Sequence, residues 1–116
     1  MKTFLIVDDN EEFLGLLSLV LQRHFKIYKA TGVQDAVKLL ESIAVDAICS
    51  DYNMRDGTGL ELLKMLRQQD RKIPFMLMSA SDDRYLTNEA QSWGASFCCK
   101  TDYDLIAKIK GLANEV

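Results

Sequence analysis

Apolar residues along this chain fall into two alternating textures. Short runs, FLIV at 4–7, KIYKA at 26–30, DAICS at 46–50, FMLMS at 75–79 and SFCC at 96–99, are bounded by polar or turn-forming residues. They lack strict alternation, which predicts strands covered on both faces. KIYKA is the most polar of them and is assigned to a sheet edge. Between the runs lie stretches of helical spacing at 11–23, 33–43, 60–68, 83–93 and 103–114. Phe13, Leu14, Leu17, Val20 and Leu21 mark the apolar stripe of the first, with Asn10 as its N-cap and Glu11 and Glu12 in its first turn. Gly94 ends the fourth, and Asp102 is expected to cap the fifth. The single proline, Pro74, stands where a strand should begin, a position that needs no ladder donor.

Strand and helix thus alternate five times, which predicts an α/β domain built on a five-stranded parallel sheet. No repeat, linker or low-complexity segment interrupts the pattern, so one domain over residues 1–116 is expected. A hydrophobic content of 48% is ample for one core in a chain of this length. The net charge of −3 and the absence of a basic cluster argue against direct nucleic-acid binding. The apolar runs are far shorter than a membrane span or a signal peptide's core, so a soluble, cytoplasmic protein is expected. Cys49, Cys98 and Cys99 have no metal-ligand spacing and read as small apolar residues of buried strands. His24, alone of its kind, falls at the end of the first helix and reads as a surface or capping residue.

A parallel sheet brings the carboxyl ends of its strands to one rim, where such folds bind ligands. The predicted strands end in Asp8 and Asp9, in Asp51, in Ser79 and in Lys100. Carboxylates gathered there repel, by about 4 kcal/mol per pair at about 4 Å in an effective dielectric of 20. One lysine leaves a surplus of negative charge, and a hard cation with oxygen ligands, Mg²⁺, would offset it. The set points to metal-assisted phosphoryl chemistry with a carboxylate nucleophile.

FLIVDDN, SDYNMRDGTGLELL, IPFMLMSAS and GASFCCK, in that order and separation, resemble the bacterial response-regulator receiver domain over essentially the whole chain. The resemblance, to single-domain regulators of the chemotaxis type, implies a flavodoxin-like doubly wound (βα)5 fold with strand order 2-1-3-4-5. It implies that Asp51 accepts a phosphoryl group from a phosphohistidine of a histidine kinase or histidine phosphotransfer protein. By the same resemblance, Asp9 would ligate Mg²⁺ directly, Asp8 through water, and Asn53 through its backbone carbonyl, with Asp51 completing the set. Lys100 would pair with the phosphoryl oxygens, Ser79 would hydrogen-bond one of them, and Phe97 would turn inward as a switch. A downstream partner would bind the face made by the fourth helix, fifth strand and fifth helix, with Trp93 at its rim. The module would be a phosphoacceptor that catalyses its own phosphorylation and dephosphorylation, not a conventional turnover enzyme. Asn53 and Ser81 occupy positions that in the family tune the access of water to the acyl phosphate. Two positions depart from the pattern: Thr101 replaces the proline after the lysine, normally in a cis bond, and Met54-Arg55 replaces Met-Pro. Neither removes a reacting atom.

Three other readings meet these residues less well. A small aspartate-nucleophile phosphatase of the haloacid dehalogenase type needs a second acid two residues after the nucleophile, where Asn53 stands. A mononucleotide binder needs a phosphate-cradling loop after the first strand, where Asp8 and Asp9 would repel the ligand. A degenerate receiver used only for binding would not need the intact acidic set.

Overall fold

The computed structural model describes residues 1–114. Its strands are β1 (Thr3–Val7), β2 (Lys26–Ala30), β3 (Ala47–Asp51), β4 (Asn53–Met54), β5 (Gly57–Thr58), β6 (Phe75–Ser79) and β7 (Ser96–Cys99). Its helices are α1 (Glu11–Leu21), α2 (Val33–Ser42), α3 (Gly59–Gln68), α4 (Arg84–Ser92) and α5 (Leu105–Leu112). Five strands form a parallel sheet in the order β2-β1-β3-β6-β7, which is the expected doubly wound order once the short β4–β5 pair is set aside. KIYKA does lie at an edge.

Strand geometry sends alternate side chains to opposite faces, and each face is covered by helices. Phe4, Ile6, Cys49, Met76, Met78 and Cys98 pack with Leu14, Leu17 and Leu21 of α1 and Leu105, Ile109 and Leu112 of α5. Leu5, Val7, Ile48, Phe75 and Leu77 pack on the other side with α2, α3 and α4. The near-continuous apolar strands are therefore a consequence of two covered faces. Leu63 of α3 is fully buried in the second layer. Leu63→Ala should lower the unfolding free energy by about 3 kcal/mol, through lost transfer energy and an unfilled cavity, read from a urea midpoint.

Helix ends follow their local chemistry. Asn10 caps α1 by accepting the Phe13 amide, as expected, and Asp83 caps α4 in the same way. Thr58 and Glu61 form a reciprocal capping box at the start of α3. The last helix departs from expectation. Asp104 holds its cap position without a side-chain bond, while Asp102 accepts the Asp104 amide at 2.8 Å and pairs with Lys108 Nζ at 2.6 Å. A short aspartate can satisfy an amide two residues on, and that local turn delays the helix to Leu105. The described residues contain no cis peptide bond, so Lys100–Thr101 is trans.

β4 and β5 form an antiparallel hairpin directly after Asp51, pairing Asn53 with Thr58 and Met54 with Gly57. Two-residue strands are too short to leave a periodic signature. The hairpin carries Arg55 and Asp56 at its tip, between the end of β3 and the start of α3.

Candidate functional site

The carboxyl ends of β1 and β3 bring Asp8, Asp9 and Asp51 together, with one carboxylate oxygen of each lying within 4.8 Å of the others. Asp8 is fully buried and Asp51 is buried, while Asp9 is half-buried. Asp8 is fixed by its own backbone: its amide donates to the Ala30 carbonyl, and Asp8 Oδ1 accepts the Asn10 amide at 2.9 Å. Asp9 Oδ2 accepts the Arg55 amide at 3.0 Å, and the Arg55 guanidinium Nε is 3.9 Å from the same oxygen.

Lys100, just past β7, reaches across to both buried acids. Its Nζ is 2.7 Å from Asp8 Oδ2 and 3.1 Å from Asp51 Oδ1. The ammonium also lies 4.6 Å from the centre of the Phe13 ring, an attractive placement for a cation. Asp8 Oδ2 has the Lys100 ammonium at 2.7 Å as its near partner among the described residues, a contact that leaves part of its lone-pair capacity unused.

The electrostatics follow from this crowding. Burial pushes the Asp51 carboxyl above the usual range, and the neighbouring Asp8 pushes it further, with Lys100 offsetting only part. Burial pulls the Lys100 ammonium down, but its contacts with Asp8 and Asp51 outweigh that and leave it above its ordinary value. The cluster is thus short of positive charge. An under-used buried carboxylate oxygen beside two more carboxylates is the donor set of a hard divalent cation such as Mg²⁺.

The other sequence-derived positions take their places around this centre. Ser79 ends β6 half-buried, and its carbonyl accepts the Lys100 amide at 2.8 Å, which locks β6 to the lysine-bearing loop. Asn53 is exposed on the hairpin, two residues beyond Asp51. Phe97 lies on β7 opposite Leu77 and packs, partly buried, on the core layer shared with α4. Ser81 is exposed just after β6. Trp93 turns toward α3, with Lys64 Nζ 5.9 Å from its ring centre and its carbonyl accepting Arg67 Nε. His24 follows the far end of α1, remote from the acids that precede that helix. The three cysteines are free thiols, Cys49 and Cys98 buried and Cys99 half-buried.

The two glycines near Asp51 differ in purpose. Gly57 has φ of +149°, a backbone region closed to most side chains. Gly59 has no such φ; a Cβ there would meet the Asp51 carbonyl oxygen at 2.3 Å and Leu77 Cδ1 at 2.8 Å. The start of α3 is therefore pressed against the backbone of Asp51. Gly59→Ala should cost about 2–3 kcal/mol, as overpacking against a fixed neighbour does, and should displace Asp51. A lowered urea midpoint together with shifted amide resonances of Asp51 and Tyr52 would register both effects.

Three features of the site escaped the sequence reading. Thr58-x-x-Glu61 carried a recognisable capping-box signature. The Phe13 ring over Lys100 and the contacts of Asp56, described below, join residues too far apart in the chain for any local pattern to announce.

Comparison with known proteins agrees with this geometry. The family model described as response regulator receiver domain matches residues 4–107. The alkaline phosphatase synthesis transcriptional regulatory protein PhoP of Bacillus subtilis is 32% identical over 85 residues, covering 72% of this chain and 35% of that protein. The heme response regulator HssR of Staphylococcus saprophyticus is 35% identical over 83 residues, covering 71% of this chain and 37% of that protein. The chain thus spans little more than a third of the length of these two relatives. Among solved structures, the non-phosphorylated HemR receiver domain of Leptospira biflexa superimposes with a TM-score of 0.91 at 21% identity, over 100% of this chain and 97% of that one. The response regulator TrrA of Thermotoga maritima, in complex with Mg²⁺-BeF, gives a TM-score of 0.83 at 28% identity, over 97% and 99% of the two chains. Matched by that family model from the first strand into the last helix, and by those folds over nearly its whole length, the chain belongs to the response regulator receiver domains of two-component systems.

Proposed function

We propose that this receiver domain is a phosphoacceptor in which Asp51 takes a phosphoryl group from the phosphohistidine of a histidine kinase or histidine phosphotransfer protein. The observation that carries the reading is the convergence of Asp8, Asp9, Asp51 and Lys100 at one rim of the sheet, with the carboxylate oxygens within 4.8 Å of one another. In the transfer, an Asp51 carboxylate oxygen forms a bond to phosphorus as the bond from phosphorus to the imidazole nitrogen breaks, and that nitrogen keeps the electron pair. No general base is needed, because the nucleophile has no proton to lose when ionised.

Asp8, Asp9 and Asp51, with the Asn53 carbonyl, would hold Mg²⁺. Bound there, the ion supplies the positive charge that a loose phosphoryl transition state needs on its equatorial oxygens. Lys100 is held by two carboxylates at the edge of the site, so its ammonium is pre-placed to pair with a phosphoryl oxygen. Ser79, on the neighbouring strand end, would donate its hydroxyl to another. Phosphorylation is a local charge event, and Phe97, partly buried between β7 and α4, is the side chain through which it would bias packing. The α4–β7–α5 face would then present a changed surface to a downstream partner.

Incubation with a small acyl phosphate and Mg²⁺, followed by intact-mass measurement, tests the reading. A gain of one phosphoryl group that requires Mg²⁺ is expected. Continuous turnover of a generic phosphomonoester would favour the phosphatase alternative instead. Among the described residues no helix is long and apolar enough to cross a membrane.

A further inference from the structure

The start of α2 lacks a side-chain cap of its own. Gly32 holds the N-cap position, and the first helical amides need acceptors from elsewhere. Asp56, from the tip of the β4–β5 hairpin, supplies both. The Val33 amide donates to Asp56 Oδ1 at 2.9 Å, and the Gln34 amide donates to Asp56 Oδ2 at 3.0 Å. Both sides of the contact are shaped for it. A Cβ on Gly32 would stand 2.6 Å from Asp56 Oδ1, and a Cβ on Gly57 would meet Val33 Cγ2 at 3.1 Å. The residue beside Asp56 in the chain is Arg55, whose amide is the donor to Asp9 Oδ2. A two-residue tip is therefore pinned at one position to α2 and at the next to an acid of the site.

We propose that Asp56 is a positioning residue for the acidic site: by clamping the hairpin tip onto the start of α2 it holds the Arg55 amide against Asp9, fixes the orientation of that carboxylate, and couples cation binding at the rim to order at the start of α2. The proposal rests on the reading of Asp8, Asp9 and Asp51 as a Mg²⁺ site. Coupling of this kind is reciprocal. If the clamp helps Asp9 to bind the ion, the ion must tighten the clamp, and the Val33 and Gln34 amides must become better protected from solvent.

The test uses Mg²⁺ alone, titrated into ¹⁵N-labelled protein, reading the Asp9 and Arg55 amide shifts for affinity and Val33 and Gln34 hydrogen exchange for the clamp. In the unmodified protein, Mg²⁺ should slow exchange at both α2 amides. Asp56→Ala should weaken Mg²⁺ binding about tenfold, the low end for losing an outer partner of a metal ligand, and abolish the ion's effect on α2. Asp56→Asn, which keeps one carbonyl acceptor, should fall between the two. It serves as the deciding variant should the alanine variant not fold. Asp35→Ala is the control, since it removes a bond at the same helix end, from the Thr31 amide, without touching the hairpin; its Mg²⁺ affinity should be unchanged. Unaltered affinity in the Asp56 variants, with binding lost in Asp9→Asn, overturns the clamp and leaves the metal site standing. Equal losses in the Asp35 and Asp56 variants also overturn it, as general fraying of α2 would then suffice. Failure of the unmodified protein to bind Mg²⁺, or binding that survives Asp9→Asn, overturns the site reading and the clamp with it.

Discussion

Asp51→Asn should leave no detectable phosphoryl label after incubation with an acyl phosphate and Mg²⁺, while the folded protein becomes more stable than its parent in metal-free buffer. The loss follows from chemistry: a carboxamide has no anionic oxygen to attack phosphorus, and no other carboxylate at the rim shares the position at the end of β3. The gain follows from charge. Burial and Asp8 push the Asp51 carboxyl upward, so at neutral pH the ionised form costs the folded state free energy. Desolvation is the larger part of that cost and repulsion from Asp8 the smaller, and Lys100 offsets only some of the sum, so the neutral side chain should raise the urea midpoint. The sign of the pH dependence is fixed by the same shift. An acid with a raised folded pKa binds more protons folded than unfolded, so its penalty is absent below the ordinary carboxylate value, grows as pH rises, and is complete above the raised one. The advantage of Asp51→Asn should therefore vanish in acid. Intact mass and urea midpoints at two pH values measure both halves. Label that persists in the variant would place the acceptor elsewhere and defeat the assignment.

Lys100→Met should destabilise the folded protein strongly, and in a way that depends on pH. It removes the one cation that, among the described residues, touches both buried acids, at 2.7 and 3.1 Å, and leaves Asp8 and Asp51 facing each other. Breaking a fully buried pair from one side costs about 3–5 kcal/mol; the lysine side chain is 17% exposed, which lowers the expectation to about 2–3 kcal/mol. The deficit should shrink as pH falls through the raised Asp51 value toward the ordinary carboxylate range, because protonation removes the uncompensated charge. Saturating Mg²⁺ should narrow it too, since without the Lys100 ammonium on Asp8 and Asp51 the variant's folded state should bind the ion more tightly than the parent's. Urea midpoints at neutral pH, at about pH 5, and with Mg²⁺ distinguish these effects from simple loss of packing. A deficit independent of both pH and Mg²⁺ would mean that the lysine's alkyl chain, rather than its charge, matters.

The five main strands were readable because both sheet faces are covered, which forces continuous apolar runs such as FLIV and FMLMS. Asp8, Asp51, Ser79 and Lys100 were readable because parallel strands must deliver their ends to one rim. The β4–β5 hairpin was not, since two-residue strands carry no period. Asp102 does not cap α5, because an aspartate before an apolar run can close a local turn as readily as it caps a helix, and here it closes the turn and pairs with Lys108, six residues along.

The sequence by itself determined the class, the order of elements and the acids at the strand ends, since periodicity and residue type are local properties of the chain. Only the tertiary structure decided what those acids touch. Arg55 stands where the family's pattern has proline, and its amide found Asp9. Asp56 found the bare end of α2, 22 and 23 residues back in the chain, and Phe13 found the Lys100 ammonium. Hydrogen bonds and ring–cation contacts act over a few ångströms, so partners distant in sequence become partners only after the hydrophobic layers have fixed which loops meet.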